Sequence, residues 1–272
     1  MTSTDLNTYV TFGYLAAGVA CLVAQAASEP ESRIRRAAFG FFIAVWLIHT
    51  FSIGWRWYES YEMGIGHAPL SNLYESLVFF AWSVGLALIV VRLRFTADVI
   101  VLLGTPLVFI IMASSFLFDS GIKPLIPALQ SNWLAAHVMT CFLGYAGFAV
   151  SFVAALLLLL ARWSPAMAEY LPEKRLLDEI VYRSILVGLP LLTLGIVTGA
   201  AWADYAWGRY WSWDPKETWS LITWLVYSAF LHARLARGWS GGRTALLSVI
   251  GFGAVLFTYF GVNYLPGLHS YF

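Results

Sequence analysis

Residues 138–161 read VMTCFLGYAGFAVSFVAALLLLLA, and the next residue is Arg162. These 24 positions hold no charged side chain. Wound as an α-helix they run about 36 Å, more than the roughly 30 Å of a bilayer's hydrocarbon core. They show none of the period-two alternation of a membrane barrel strand. A helix satisfies every backbone hydrogen bond within its own segment, as lipid demands.

Similar stretches recur along the chain. Of its 272 residues 60% are hydrophobic and 11% charged, and the mean hydropathy is +0.73. A soluble domain carries about 25% charged residues, so the solvent here is lipid. The pattern predicts an all-α, polytopic membrane bundle of about eight spans, near residues 6–27, 37–58, 73–91, 97–115, 132–161, 180–205, 219–236 and 244–264. The whole chain, 1–272, reads as one membrane domain with its core from about residue 40 onward. The first span is too long, and lacks the basic leader, for a cleaved signal peptide. The polar stretch Ser164 to Glu179 reads as a short amphipathic helix joining two spans.

The basic residues assign the sides. Twelve of the sixteen lie in the first, third, fifth and seventh connections, among them Arg33, Arg35, Arg36, Arg92, Arg94, Arg162, Lys174, Arg175, Arg234, Arg237 and Arg243. Arg56, Lys123, Arg209 and Lys216 fall on the opposite side. Positive charge marks the cytoplasmic face, so both termini are expected on the outer, periplasmic side. The net charge of +1 says nothing about nucleic acid, but the Lys and Arg residues sit in short loops rather than in a stripe, and no nucleic-acid partner is expected. Cys21 and Cys141 lie within apolar segments, far apart and outside any Cys-x-x-Cys, so neither a redox pair nor a zinc site is suggested.

The sixth connection is unlike an ordinary aromatic belt. It runs Trp207-Gly-Arg-Tyr-Trp211-Ser-Trp213-Asp214-Pro-Lys-Glu217-Thr-Trp219. Indoles are flat, rigid and apolar with one donor edge. Trp207, Trp211, Trp213 and Trp219 could together form a platform for a large planar ligand such as a porphyrin. Arg209 and Lys216 either pair with its propionates or snorkel to water. Asp214-Pro215-Lys216-Glu217 reads as a helix start, with Asp as N-cap, Pro at the first position and Glu completing a capping box. Asp214 and Glu217 are therefore expected to cap the helix rather than touch the ligand.

The pattern Trp-Gly-x-x-Trp-x-Trp-Asp-x-x-Glu-x-Trp resembles the signature of the WWD family of haem-handling membrane proteins, and within it the CcsA/ResC-type cytochrome c biogenesis proteins of System II. Pro69 to Glu75, the entry to span five at His137, the exit of span seven at His232, and Asn263 to Tyr271 are similar to that family too. The resemblance implies haem b as substrate at two sites, a CcsB/ResB-like membrane partner, apocytochrome c as acceptor, and a share in a cytochrome c synthetase.

Five histidines remain to be sorted. A histidine within a membrane is expected to be functional, and neutral imidazole is a strong axial ligand for haem iron. His137, just inside span five, and His269, just beyond span eight, both reach the outer face. One imidazole on each side would give six-coordinate iron, and the resemblance implies the same roles. His49 and His232 lie nearer the middle and the inner side, at unequal depths. The resemblance implies that they ligate a second haem on its way outward. His67 stands in an outer loop without an evident partner.

Two further readings stay open: a haem-binding transporter or chaperone that performs no ligation chemistry, and a structural or quinone-linked subunit. The expected location is a bacterial inner membrane, ahead of a thylakoid membrane.

Overall fold

The computed structural model describes residues 1–27, 29 and 32–268. Among them the chain is helical with no strand, and it divides into two compact units, residues 1–130 and 131–272.

In the first unit α1 (Ser3–Ala27), α2 (Arg33–Glu62), α3 (Leu73–Phe95) and α4 (Asp98–Ser115) follow one another. Helix α1 packs on α2 and α4, and α3 packs on α4. The helix ends follow local chemistry. Ser32 and Asn72 cap α2 and α3 by accepting from the Arg35 and Glu75 amides, as short polar side chains do at N-caps.

The second unit holds α5 (Asn132–Trp163), the single turn α6 (Pro165–Ala168), α7 (Lys174–Trp207), α8 (Pro215–Arg237) and α9 (Gly242–Tyr259). The α5–α7 contact is its most extensive, and α9 packs against both α5 and α8.

Seven of the eight long helices are long and apolar enough to cross a membrane, and the protein is a multi-pass helical membrane protein. The eighth, α8, has 23 residues, but its Ser, Thr, Tyr, His and Arg side chains dilute its hydropathy. All eight coincide with the expected spans to within a few residues. The stretch from Ser164 to Glu179 departs from the expected joining helix. Pro165 opens only one turn, and α7 begins at Lys174, so part of that segment is the start of a long helix.

Apolar side chains face outward in rows that suit lipid, as with Phe12, Leu15, Val19 and Leu22 on α1. Buried charged groups find partners. Arg56 and Glu75, 3% and 1% exposed, meet at 2.8 Å. The same guanidinium donates to the Ser120 carbonyl at 2.9 Å and lies over the Tyr74 ring. The second Glu75 oxygen accepts from the Ser71 amide and hydroxyl. One buried ion pair thus ties α2, α3 and two loops together. In the second unit Asp178 plays the corresponding part, accepting from Arg234, from the Gly241 amide and from Thr244 and so joining α7 to the α8–α9 turn.

Candidate haem site

The tryptophan loop of the second unit is built around one helix start. Gly208 ends α7 in the left-handed conformation at φ +71°, where a Cβ would be strained. Six residues later Asp214 caps α8, Pro215 takes the first position, and Glu217 closes the capping box, as the sequence predicts.

Glu217 does more than cap. One of its oxygens accepts from the Ser212 amide at 2.7 Å, the Ser212 hydroxyl at 3.1 Å and the Asp214 amide at 3.2 Å. These bonds straddle Trp213, which adopts φ +61°. A non-glycine residue there costs about 1–3 kcal/mol and persists only when its surroundings impose it. The result is an indole held 69% exposed on a fixed backbone.

The four indoles of the motif fall into separate ring contacts. Trp211 meets Trp213 edge to face at 5.7 Å, and Trp219 packs on Phe257 of α9 at 4.2 Å. Trp207 meets Trp202 edge to face at 4.9 Å. Trp202 lies outside the motif, is buried, and stacks on the ring of His137 at 6.1 Å and 17°. A continuous set of rings therefore runs from His137 through Trp202 to Trp207.

His137 is oriented by α7. Its Nδ1 lies 2.7 Å from the Gly195 carbonyl oxygen. A carbonyl can only accept, so Nδ1 carries the proton and the lone pair of the neutral ring sits on Nε2. That is the arrangement in which a backbone carbonyl fixes the tautomer of a metal-binding histidine. Gly199 permits the approach, since a Cβ there would stand 2.5 Å from Nδ1. Gly195, Gly199 and Trp202 share a helical face at spacings of four and three. That spacing is the sequence signal for a residue the motif alone leaves out.

Of the two cations, Arg209 is exposed and Lys216 half-buried. Burial pulls the Lys216 ammonium down to about 8, against the opposing pull of the Asp214 carboxylate. Lys216 is thus half-buried at the start of α8 rather than fully in water.

His269 lies outside the described residues, but the segment before it is fixed to the loop: the Leu268 amide donates to Asp214 Oδ2 at 2.6 Å.

The two remaining candidates differ in setting. His49 belongs to the first unit and is fully buried. Its Nδ1 lies 3.1 Å from the Tyr14 hydroxyl, while its Nε2 is buried without a well-formed hydrogen bond, although the ring lies near the Val78 backbone. Such an atom is costly unless something binds it. Trp46, one turn before His49, stacks on Trp82, which stacks on Phe79. His232 belongs to the second unit and is exposed on α8. His67 is a loop residue with partners after all, its ring nitrogens lying 2.9 Å from the Ala68 carbonyl and 3.0 Å from that of Lys123.

The fold and this aromatic loop, with His137 of α5 stacked on Trp202 of α7, define a polytopic helical membrane protein with a candidate site for a flat ligand at one end of its second unit. Residues 70–269 match the family described as cytochrome C assembly protein. The chain is 41% identical over 257 residues to the cytochrome c biogenesis protein CcsA of Parasynechococcus marenigrum (strain WH8102), covering 83% of each. It is 40% identical over 259 residues to CcsA of Guillardia theta, covering 86% of this chain and 84% of the relative. With CcsA of Synechococcus sp. (strain RCC307) the identity is 36% over 294 residues, covering 96% and 93%. The chain belongs to the cytochrome c assembly protein family, on its CcsA-type branch, and its role lies in cytochrome c maturation.

Proposed function

We propose that this chain binds haem b, carries it outward across the membrane and presents it for covalent attachment to apocytochrome c. The observation that carries the reading is His137: its ring is stacked on Trp202 and its tautomer is fixed by the Gly195 carbonyl, at the end of the unit that holds the tryptophan loop. Nε2 of His137 ligates one face of the iron and His269 the other. Trp207, Trp211, Trp213 and Trp219 shield the ring, and Lys216, with Arg209 at the rim, pairs with the propionates. The basic loops stay on the cytoplasmic side and both termini face outward.

His49 and His232 each supply an imidazole to haem on its way outward. The buried Nε2 of His49, which lacks a well-formed hydrogen bond, supports that role. Its enclosure means that α2 must part from its neighbours during loading. Relatives occur in cyanobacteria and in a plastid-bearing alga, so a thylakoid membrane stands beside a bacterial inner membrane as the location.

At the outer site each thiol of a Cys-x-x-Cys-His segment adds across a vinyl group. Sulfur bonds to the inner vinyl carbon and the thiol hydrogen ends on the terminal one, so no electron is gained or lost overall. Bringing thiol and vinyl together supplies several kcal/mol of the barrier. The protein's part is position and exclusion of water, with a CcsB/ResB-like membrane protein completing the complex.

The test is an absorption spectrum of the purified chain beside its His49→Ala and His232→Ala variants. Wild type should carry haem, and each variant should deliver less haem to the outer site and yield less cytochrome c. A wild-type protein without haem bands would return the loop to an ordinary aromatic belt. Normal cytochrome c yield from both variants would remove the inner pair from the route.

A further inference from the structure

One end of the first unit carries a charged cleft that haem handling does not use. It lies where the end of α1 meets the starts of α2 and α4, and Gln25, Arg35, Ala38, Phe39 and Asp98 line it. Its open space is about 260 Å³. Asp98 stands between two guanidiniums: it pairs with Arg92 Nε, and Arg35 Nη1 lies 3.9 Å from its other oxygen. The Arg92, Arg35 and Asp98 side chains are only 9%, 11% and 16% exposed. One carboxylate against two guanidiniums leaves an excess positive charge in a nearly closed setting, which is costly unless an anion meets it. The neighbouring sequence adds to the excess. Residues 29–36 and 92–98 hold five arginines and three acidic residues.

Two further features narrow the kind of anion. Gln25 Oε1 is buried without a hydrogen-bond partner, and a carbonyl oxygen can only accept, so it calls for a donor. A bare carboxylate or halide has none, whereas a glycerol phosphate has hydroxyls. Leu22 and Val23, next to the cleft residues of α1, and Ile34, next to Arg35, are exposed apolar side chains. They suit acyl chains rather than water.

We propose that this cleft binds the phosphate group of a glycerol-headed anionic phospholipid, with Arg35 on the phosphate and Gln25 accepting from a head-group hydroxyl. The guanidinium fork matches phosphate oxygens two at a time. Arg92 is held by Asp98 and lies 5.4 Å from the centre of the Phe39 ring, which leaves the phosphate to Arg35. Ala38 keeps the cleft open by the smallness of its side chain.

The experiment uses the full chain purified in a non-ionic detergent, with bound lipid counted by native mass spectrometry. The probes are phosphatidylglycerol, phosphatidylcholine and inorganic phosphate. Arg35→Gln removes the charge, Ala38→Leu fills the cleft with every charge intact, and Arg94→Gln removes an exposed arginine outside the cleft. Wild type should hold phosphatidylglycerol in preference to phosphatidylcholine. Arg35→Gln and Ala38→Leu should each weaken that binding about 10–100-fold, the scale of hydrogen bonds to a charged group, while Arg94→Gln stays close to wild type. Helix content by circular dichroism should be unchanged in all three. Inorganic phosphate that displaces the lipid would assign the cleft to a free phosphate and overturn the lipid. Equal binding of the two lipids, or an Arg94→Gln loss as large as that of Arg35→Gln, would mean that the arginines only mark a membrane interface, and the proposal is refuted.

Discussion

Replacing His137 and His269 together by alanine should empty the proposed outer haem site. Loss of an outer-shell partner of a metal ligand already costs roughly 10–100-fold in affinity, and the double change would remove both of the proposed bonds to iron. What remains is contact with indoles that, in the second unit, belong to separate ring pairs. Apolar contact of this kind is not directional, so it does not fix the vinyl edge in place. Haem recovered at the outer site should fall by more than that range, and cytochrome c yield should fall to background. His137→Ala alone should convert a low-spin spectrum to a high-spin one. The haem-to-protein ratio and spectrum of the purified variants check both statements. An unchanged ratio and spectrum in the double variant would remove the outer site from the account.

The second large effect is on stability. Arg56→Ala leaves the Glu75 carboxylate buried with no opposing charge, and also frees the Ser120 carbonyl and uncovers the Tyr74 ring. Breaking a buried pair on one side costs about 3–5 kcal/mol. Removing both charges is far milder, so Arg56→Met with Glu75→Gln should recover most of the loss, since Gln can still accept from Ser71. Denaturant unfolding in detergent micelles, followed by tryptophan fluorescence, reads both. A single variant within about 1 kcal/mol of wild type, the level of an exposed pair, would show that this pair contributes little to stability.

What could be read from sequence was local. Seven of the expected spans announce themselves by length and lack of charge and became long apolar helices; the eighth, α8, is a helix of lower hydropathy. The Asp-Pro-Lys-Glu start of α8 could be read because a capping box lies within four residues. Gly208 and Gly238, both left-handed at helix ends, obey the same short-range rule.

The unread features join distant parts of the chain. Trp202 belongs with His137 only because α5 and α7 pack closely at Gly195 and Gly199, 58 or more residues from the histidine. The second bond of Asp214, to Leu268, spans 54 residues, so its sequence neighbours suggest only a cap. The contact of His67 with Lys123 and that of His49 with Tyr14 are likewise set by tertiary packing. By sequence alone Lys216 is equally able to pair with a propionate or to snorkel to water. Its half-burial is set by tertiary packing, and no residue next to it in sequence reports that.

The central claim, that the tryptophan loop presents haem for attachment, is tested most directly by a ligation assay. The purified chain, together with its CcsB/ResB-like partner, is loaded with haem, reduced and given a peptide bearing Cys-x-x-Cys-His. The account predicts peptide that carries haem through denaturation, with the spectrum of saturated vinyl positions. Haem that stays bound to the chain while the peptide remains unmodified would contradict it, and would leave a haem carrier that performs no ligation.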